Sequence, residues 1–199
     1  RALEMSPSHL SLYQLTIEDG TAFGDRFARG RLPGLPDEDL GADLWEITQE
    51  MTEAAGLPGY ETSNHAIPGA EARHNLIYWQ SGDWLGIGPG AHGRLTMDGV
   101  RWATETPRTP GGWLAAVEAG AARIEQRKIL TKREVLEERL IMGLRLRDGI
   151  ELGDDYHLIY NNINKLRKLG MLEKVDGTLQ LTPAGRPLLN AVIRDLLTD

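Results

Sequence analysis

Cysteine is missing from this 199-residue chain, which excludes a disulfide framework and any thiolate-held zinc or iron-sulfur site built from its own side chains. Excess positive charge is missing too. The 22 basic residues face 29 acidic ones, a formal net charge of -7, so the overall balance offers no attraction to nucleic acid or an anionic membrane. No run approaches the roughly 20 apolar residues that span a bilayer, and the first residues lack the charged-then-apolar order of a secretory signal. These absences point to a cytoplasmic protein. Aromatic residues are scarce at 6%, yet HNLIYWQSGDWLGIGPGAHG (74–93) packs three aromatic rings, two histidines and five glycines into twenty positions.

At 41% hydrophobic and 26% charged, the composition is that of a globular chain with room for one large domain or two small ones. The run from His9 to Ile17 reads as a largely buried strand ending near Gly20. Thr21 to Pro36 holds too many glycines and prolines for a regular element and reads as a loop. From Asp37, the spacing of Leu40, Leu44, Ile47 and Met51 predicts an amphipathic helix that stops at Gly56. GYETSNHA then reads as a short strand closed by the turn IPGA, giving a strand-helix-strand, α/β arrangement.

Asp98-Gly99 between two apolar-bearing runs signals a two-residue hairpin, because both central positions need positive φ. ETPRTP marks a boundary, dividing the chain into residues 1–105 and 106–199. The second part is expected to be mostly helical. Trp113, Leu114, Val117, Ala121 and Ile124 share one helical face, and Thr131 with Glu134 forms a capping box ahead of Leu136, Leu140 and Leu144. The last fifty residues read as helix, hairpin, helix, with a turn at Asp176-Gly177 and a helix start at Thr182-Pro183. That order is winged-helix-like.

The glycines of GIGPGAHG free the backbone for positive φ and close approach to a ligand, but the spacing G-x-G-x-x-G is not met and Pro89 removes a donor. A glycine-rich bend between strand and hairpin explains the run as well as a ligand cradle does. If residues 74–79 are helical, His74 and Tyr78 share a face, where imidazole and phenol can ligate a metal or flank a flat aromatic ligand. The same spacing makes Leu76 and Trp79 core residues. His9, His65 and His157 have no carboxylates at metal-ligand spacing, and Ser63 lacks the glycines of a nucleophile elbow. Lys165, Arg167 and Lys168 read as a solvated helix face or as a recognition helix.

Three stretches in order, HLSLYQLTIEDGTAF, YETSNHAIPGAEARHNLIYW and GDWLGIGPGAHG, resemble the radical S-adenosylmethionine proteins of the oxygen-independent coproporphyrinogen III oxidase-like group, and more closely its HemW branch of heme chaperones. The resemblance runs from about His9 to the C-terminus, with H-N-x-x-Y-W as its most specific part. It implies the remnant of a partial (β/α) barrel followed by a helical, winged-helix-like C-terminal domain. It also implies that the 4Fe-4S cluster and most of the S-adenosylmethionine site lie in sequence outside this chain, which is then a C-terminal fragment and inert as an enzyme by itself.

By the same resemblance, Gln14 and Thr16 are cofactor-side residues, while Gly86, Gly88, Ala91 and His92 form a backbone wall near the adenosyl group. His74, Tyr78 and Trp79 are the heme-associated group, with His74 as the candidate iron ligand and no other metal ligand in the chain. Relatives often carry Cys where Ala72 stands here and another residue at Pro89. Three functions follow: part of a heme chaperone that binds heme and delivers it to an acceptor protein; part of a coproporphyrinogen III oxidase of porphyrin biosynthesis; or a winged-helix nucleic-acid-binding module using Lys165, Arg167 and Lys168, which the net charge disfavours.

Overall fold

The computed structural model describes residues 1–5, 8–120 and 125–198, in two compact units spanning 1–71 and 72–199. In the first unit, a single-turn helix α1 (Ala2–Met5) precedes strand β1 (His9–Ser11). The expected strand over residues 9–17 is thus cut to three residues. Past Ser11 the Leu12 N–H still bonds the Ser63 carbonyl at 2.8 Å, but residues 12–17 join no strand, and Tyr13 and Leu15 are exposed at 76% and 62%, so this segment is not the buried strand its apolar residues suggest. Helix α2 (Ala22–Ala28) replaces the expected loop. Thr21 caps it by accepting a hydrogen bond from the Gly24 N–H at 3.0 Å, and Gly24 sits where a Cβ would strike the Glu18 carbonyl. Its glycine serves close approach, not a break.

Helix α3 (Glu38–Ala54) begins where expected, with the Asp37 carboxylate accepting from the Leu40 N–H at 2.9 Å. Gly56, at φ 76°, ends it. Its periodic apolar residues Leu40, Leu44, Ile47 and Met51 are exposed rather than buried. Strand β2 (Asn64–Ala66) pairs antiparallel with β1, His9 opposite Ala66 and Ser11 opposite Asn64. The pair is tied by polar side chains. Ser11 Oγ donates to Asn64 Oδ1 at 2.5 Å, the Asn64 amide donates to Glu61, and His9 Nε2 lies 3.0 Å from the Tyr60 hydroxyl.

At the centre of this pair His65 is 1% exposed, its ring against Gly59, with neither ring nitrogen hydrogen-bonded among the described residues. Burial lowers its pKa, His9 adds to the effect and the Glu61 carboxylate opposes it. The folded state therefore holds a neutral imidazole, and the unfolded chain binds the proton better. Its contribution to stability is complete above the ordinary histidine value of about 6.5 and is lost as the pH falls below it. Thermal melts at about pH 7.5 and about pH 5.5 are expected to show a drop in midpoint that narrows in His65→Phe. An equal drop in both proteins contradicts this.

The second unit opens with helix α4 (Arg73–Trp79), followed by strands β3 (His92–Met97) and β4 (Val100–Glu105). The hairpin turns at Asp98 (φ 51°) and Gly99 (φ 75°) as expected. Helix α5 (Pro110–Glu118) carries Trp113, Leu114 and Val117; Ala121 and Ile124 lie outside the described residues. In a part expected to be mostly helical, Gln126–Ile129 instead form strand β5, which extends the sheet in the order β3-β4-β5. Thr131 and Glu134 form the capping box of α6 (Lys132–Gly143).

Next come β6 (Ile150–Glu151), a 3-10 segment (Asp154–Ile159), α7 (Tyr160–Lys168), β7 (Leu172–Val175) and β8 (Thr178–Leu181). The second sheet has the order β6-β8-β7, with the β7-β8 hairpin turning at Asp176 and Gly177. Thr182 caps only a turn, accepting from the Gly185 N–H at 3.0 Å. The last helix, α8 (Leu189–Leu197), starts six positions later than Thr182-Pro183 suggests, after a 3-10 turn at Arg186–Leu188. One apolar core joins α6, α7, α8 and this sheet, centred on Leu140, Leu179 and Leu196, each with no exposed surface. Among the described residues no helix is long and apolar enough to cross a membrane.

Candidate tetrapyrrole-binding face

Helix α4 advances about 100° per residue, and its exposure follows that period. Arg73, His74 and Ile77 face outward, while Leu76 and Trp79 are half-buried on the side that meets α6. The helix ends with Ser81 in the left-handed region (φ 55°) and the Gly82 N–H bonded to the Ile77 carbonyl at 2.7 Å, the pairing of a Schellman closure. That turn sends the chain back past the helix, so that Trp84 meets Tyr78.

The result is a ladder of rings. His74 meets Tyr78 edge to face with centroids 4.9 Å apart, and Tyr78 meets Trp84 in the same manner at 4.8 Å, the geometry that aromatic quadrupoles favour. The Trp84 indole donates to the His92 carbonyl at 3.1 Å and has two guanidinium groups near its ring, Arg94 at 5.8 Å and Arg101 at 5.7 Å. Both cations are themselves tied. Arg94 Nε donates to Glu138 Oε1 and Oε2 at 2.9 and 3.0 Å. Arg101 donates to Asp83 at 2.5 Å and to the Gly82 carbonyl at 2.8 Å. Asp83 also accepts from the Thr96 N–H and hydroxyl, each at 2.9 Å, and its carboxyl is held below the usual range, by the Thr96 backbone N–H first and the Arg101 guanidinium among the further causes.

The local sequence singles out His74 and Tyr78 but not Trp84 or its cations Arg94 and Arg101, which come from β3 and β4. The expected group of His74, Tyr78 and Trp79 is divided: the Trp79 ring turns inward beneath Arg145, 5.5 Å from its centroid, and does not join His74 and Tyr78. The imidazole of His74 is exposed. Its one described contact is the ring of Tyr78, so both ring nitrogens stand open to a ligand.

The glycine run is a closed bend. Trp84 and Arg94 exchange backbone hydrogen bonds at 2.8 and 2.9 Å, enclosing residues 85–93. A Cβ on Gly86 would come within 2.6 Å of the His92 backbone, and one on Gly93 within 2.5 Å of Thr104 Oγ1. These glycines exist for the contact of two chain segments. Thr106 fastens the tip, its hydroxyl donating to the Gly88 carbonyl at 2.5 Å and accepting from the Ala91 N–H at 2.8 Å, while the Gly90 N–H bonds Pro107. With Pro89 lacking a donor, the N–H groups of Gly90 and Ala91 are already spent and the tip cannot cradle a phosphate as a nest of free donors would. His92 is exposed.

Gln14 and Thr16 belong to the first unit, on the irregular segment after β1; the Gln14 amide donates to the Gly41 carbonyl at 3.1 Å. A cleft of about 370 Å³ lies between β3-β4-β5 and α6, with His92 and Glu105 on its lining, but its charges are largely satisfied by Arg94-Glu138 and Lys128-Glu134. On α7, the Lys165 ammonium lies 3.6 Å from Asp195. No group of three or more metal-ligating side chains occurs among the described residues.

Comparison with known proteins bears on these features. Residues 130–188 match the HemN C-terminal domain family. The heme chaperone HemW of Escherichia coli (strain K12) is 47% identical over 115 residues, 57% of this chain and 29% of that protein. The heme chaperone HemW of Mycobacterium tuberculosis (strain CDC 1551 / Oshkosh) is 37% identical over 196 residues, 98% of this chain and 49% of that protein. The chain thus spans at most about half the length of these curated relatives. The solved structure of coproporphyrinogen III oxidase (HemN) from Escherichia coli, described as a radical SAM enzyme, superposes with a TM-score of 0.69 over 99% of this chain and 49% of that one, at 18% identity, which shows the shared fold.

Proposed function

Since the chain is a relative of the HemW heme chaperones and matches the HemN C-terminal domain family at residues 130–188, we propose that it is the C-terminal portion of a radical SAM heme chaperone, and that the outward face of α4 takes the heme before it passes to an acceptor protein. The observation that carries this reading is His74: an exposed imidazole with both nitrogens open, edge to face with Tyr78 at a centroid distance of 4.9 Å. Neutral imidazole is a good axial ligand for heme iron, and an edge-to-face phenol beside it fixes the plane in which the imidazole stands. Trp84, held by its own hydrogen bond and two cations, backs Tyr78. Trp79 anchors the helix from the other side.

The donor set does not fit a 4Fe-4S cluster, because the chain has no thiol, so no step of radical chemistry is assigned to it. In a longer parent, Gln14 and Thr16 of the first unit are proposed as cofactor-side residues; separately, within the second unit, the bend of Gly86, Gly88, Ala91 and His92 is proposed as a backbone wall for the adenosyl group, Ala91 acting through shape because its N–H is bonded to Thr106. Residues 1–105 are proposed as the closing part of the partial barrel. Residues 106–199 are proposed as a winged-helix-like domain, for which the β6-β8-β7 sheet against α6, α7 and α8 gives support. A cytoplasmic location completes the proposal.

Titration with hemin tests the reading. The wild-type chain is expected to shift the Soret band with one saturable site and to pass bound heme to an apo-acceptor. Free hemin absorbance throughout the titration contradicts it. A Soret shift that is lost in His74→Ala also favours this reading over that of a coproporphyrinogen oxidase.

A further inference from the structure

We propose that Arg73 is the positioning residue for a propionate carboxylate of the tetrapyrrole, an inference that rests on the heme reading of the α4 face. Arg73 is exposed on the same arc as His74, Ile77 and Tyr78. Among the described residues it has no hydrogen bond, ion pair or ring contact. That state is unusual for an arginine of the second unit: Arg94, Arg101 and Arg133 pair with carboxylates, Arg139 and Arg186 donate to backbone carbonyls, and Arg145 lies over Trp79. The others without a described partner, Arg167 and Arg194, lie away from this helix, on α7 and α8.

Helical side chains lean toward the N-terminus, so the Arg73 guanidinium projects past the start of α4. Ile77, four residues on and 41% exposed, lies one turn behind it on the same ridge, and His74 and Tyr78 form the neighbouring ridge. The face therefore runs from a cationic edge to an apolar and aromatic surface. Heme has the same polarity, with two carboxylates on one edge and apolar substituents elsewhere. A guanidinium carries its charge at any working pH and presents two parallel donors that match a carboxylate. With the iron over His74, Arg73 fixes the rotation of the macrocycle in its own plane.

The test uses the full chain and two probes, hemin and iron protoporphyrin IX dimethyl ester, whose propionates are blocked, titrated into wild type, Arg73→Ala and Arg73→Lys. Arg73→Ala is expected to weaken hemin binding about tenfold, the loss that one charge-assisted pair explains, with the saturated Soret position unchanged. Arg73→Lys recovers part of the loss, and the ester binds wild type and Arg73→Ala alike. Hemin affinity of Arg73→Ala within about twofold of wild type overturns the inference, as does an equal loss for hemin and ester. In either case a His74-dependent Soret band leaves the heme reading standing. Absence of that band in the wild type overturns both.

Discussion

Hemin added to His74→Ala is expected to give a spectrum close to that of hemin bound nonspecifically, with affinity reduced on the order of a hundredfold, about 2.7 kcal/mol. Of the outward residues Arg73, His74 and Ile77 on α4, His74 is the one whose side chain offers iron an imidazole nitrogen. A guanidinium has no lone pair to give iron and Ile77 has no donor atom; the Tyr78 phenol supplies an oxygen, and its ring stands edge to face with both His74 and Trp84. Ala72, where relatives of this kind often carry a thiol, supplies nothing. Because His74 is exposed and its single described contact is a ring edge, its removal leaves no buried cavity, and far-ultraviolet dichroism should be unchanged. Added imidazole should restore the Soret position of the variant by refilling the site. Binding of hemin to His74→Ala with wild-type affinity and spectrum would show that the iron ligand lies elsewhere.

Gly86→Ala is expected to destabilise the second unit by about 2–4 kcal/mol, lowering the thermal midpoint by roughly 5–10 °C. The φ of Gly86 is not in the left-handed region, so the cost is one of space. The new methyl would meet His92 C, O and N at 2.6, 2.7 and 3.0 Å, all of them backbone atoms. His92 begins the β3-β4 ladder, pairing with Glu105, and cannot retreat without breaking it. The displacement would reach Trp84, whose indole donates to the same His92 carbonyl, and through it Tyr78. Hemin affinity should therefore fall along with stability. Gly111→Ala, in the first turn of α5 with open space around its Cα, should be neutral or slightly stabilising, by up to about 1 kcal/mol. A Gly86→Ala protein as stable as the wild type would mean the bend is loose enough to admit a ligand between its two segments.

What could be read from sequence was what depends on neighbours in sequence. Thr131 and Glu134 are three residues apart, and their capping box forms because each reaches the other's backbone. Asp98-Gly99 and Asp176-Gly177 turn where positive φ is cheap. The H-N-x-x-Y-W stretch is helical, and its four-residue spacing does bring imidazole and phenol together.

The misses share a cause in the opposite sense. Residues 12–17 have the composition of a strand, but a strand exists only with a partner, and β2 offers three residues. Gly24 looked like a breaker because sequence does not show that the Glu18 carbonyl fills the place of its Cβ. Gln126–Ile129 are polar and basic, with no alternation to announce a strand; the ladder to β4 makes them one. The support for Tyr78 was the least legible. Arg94 and Glu138 are 44 residues apart, and nothing local in either marks it as a clamp near Trp84.

The most direct test is to locate the tetrapyrrole. Gallium protoporphyrin IX, a diamagnetic stand-in for hemin, can be titrated into the 15N-labelled chain while amide and indole resonances are followed. Ring-current shifts are expected to be largest at Arg73, His74, Ile77 and Tyr78, with a smaller effect on the Trp84 indole N–H and little at the cleft between β5 and α6. Shifts centred on Glu105, Lys128 and Glu134, with α4 unmoved, would contradict the account.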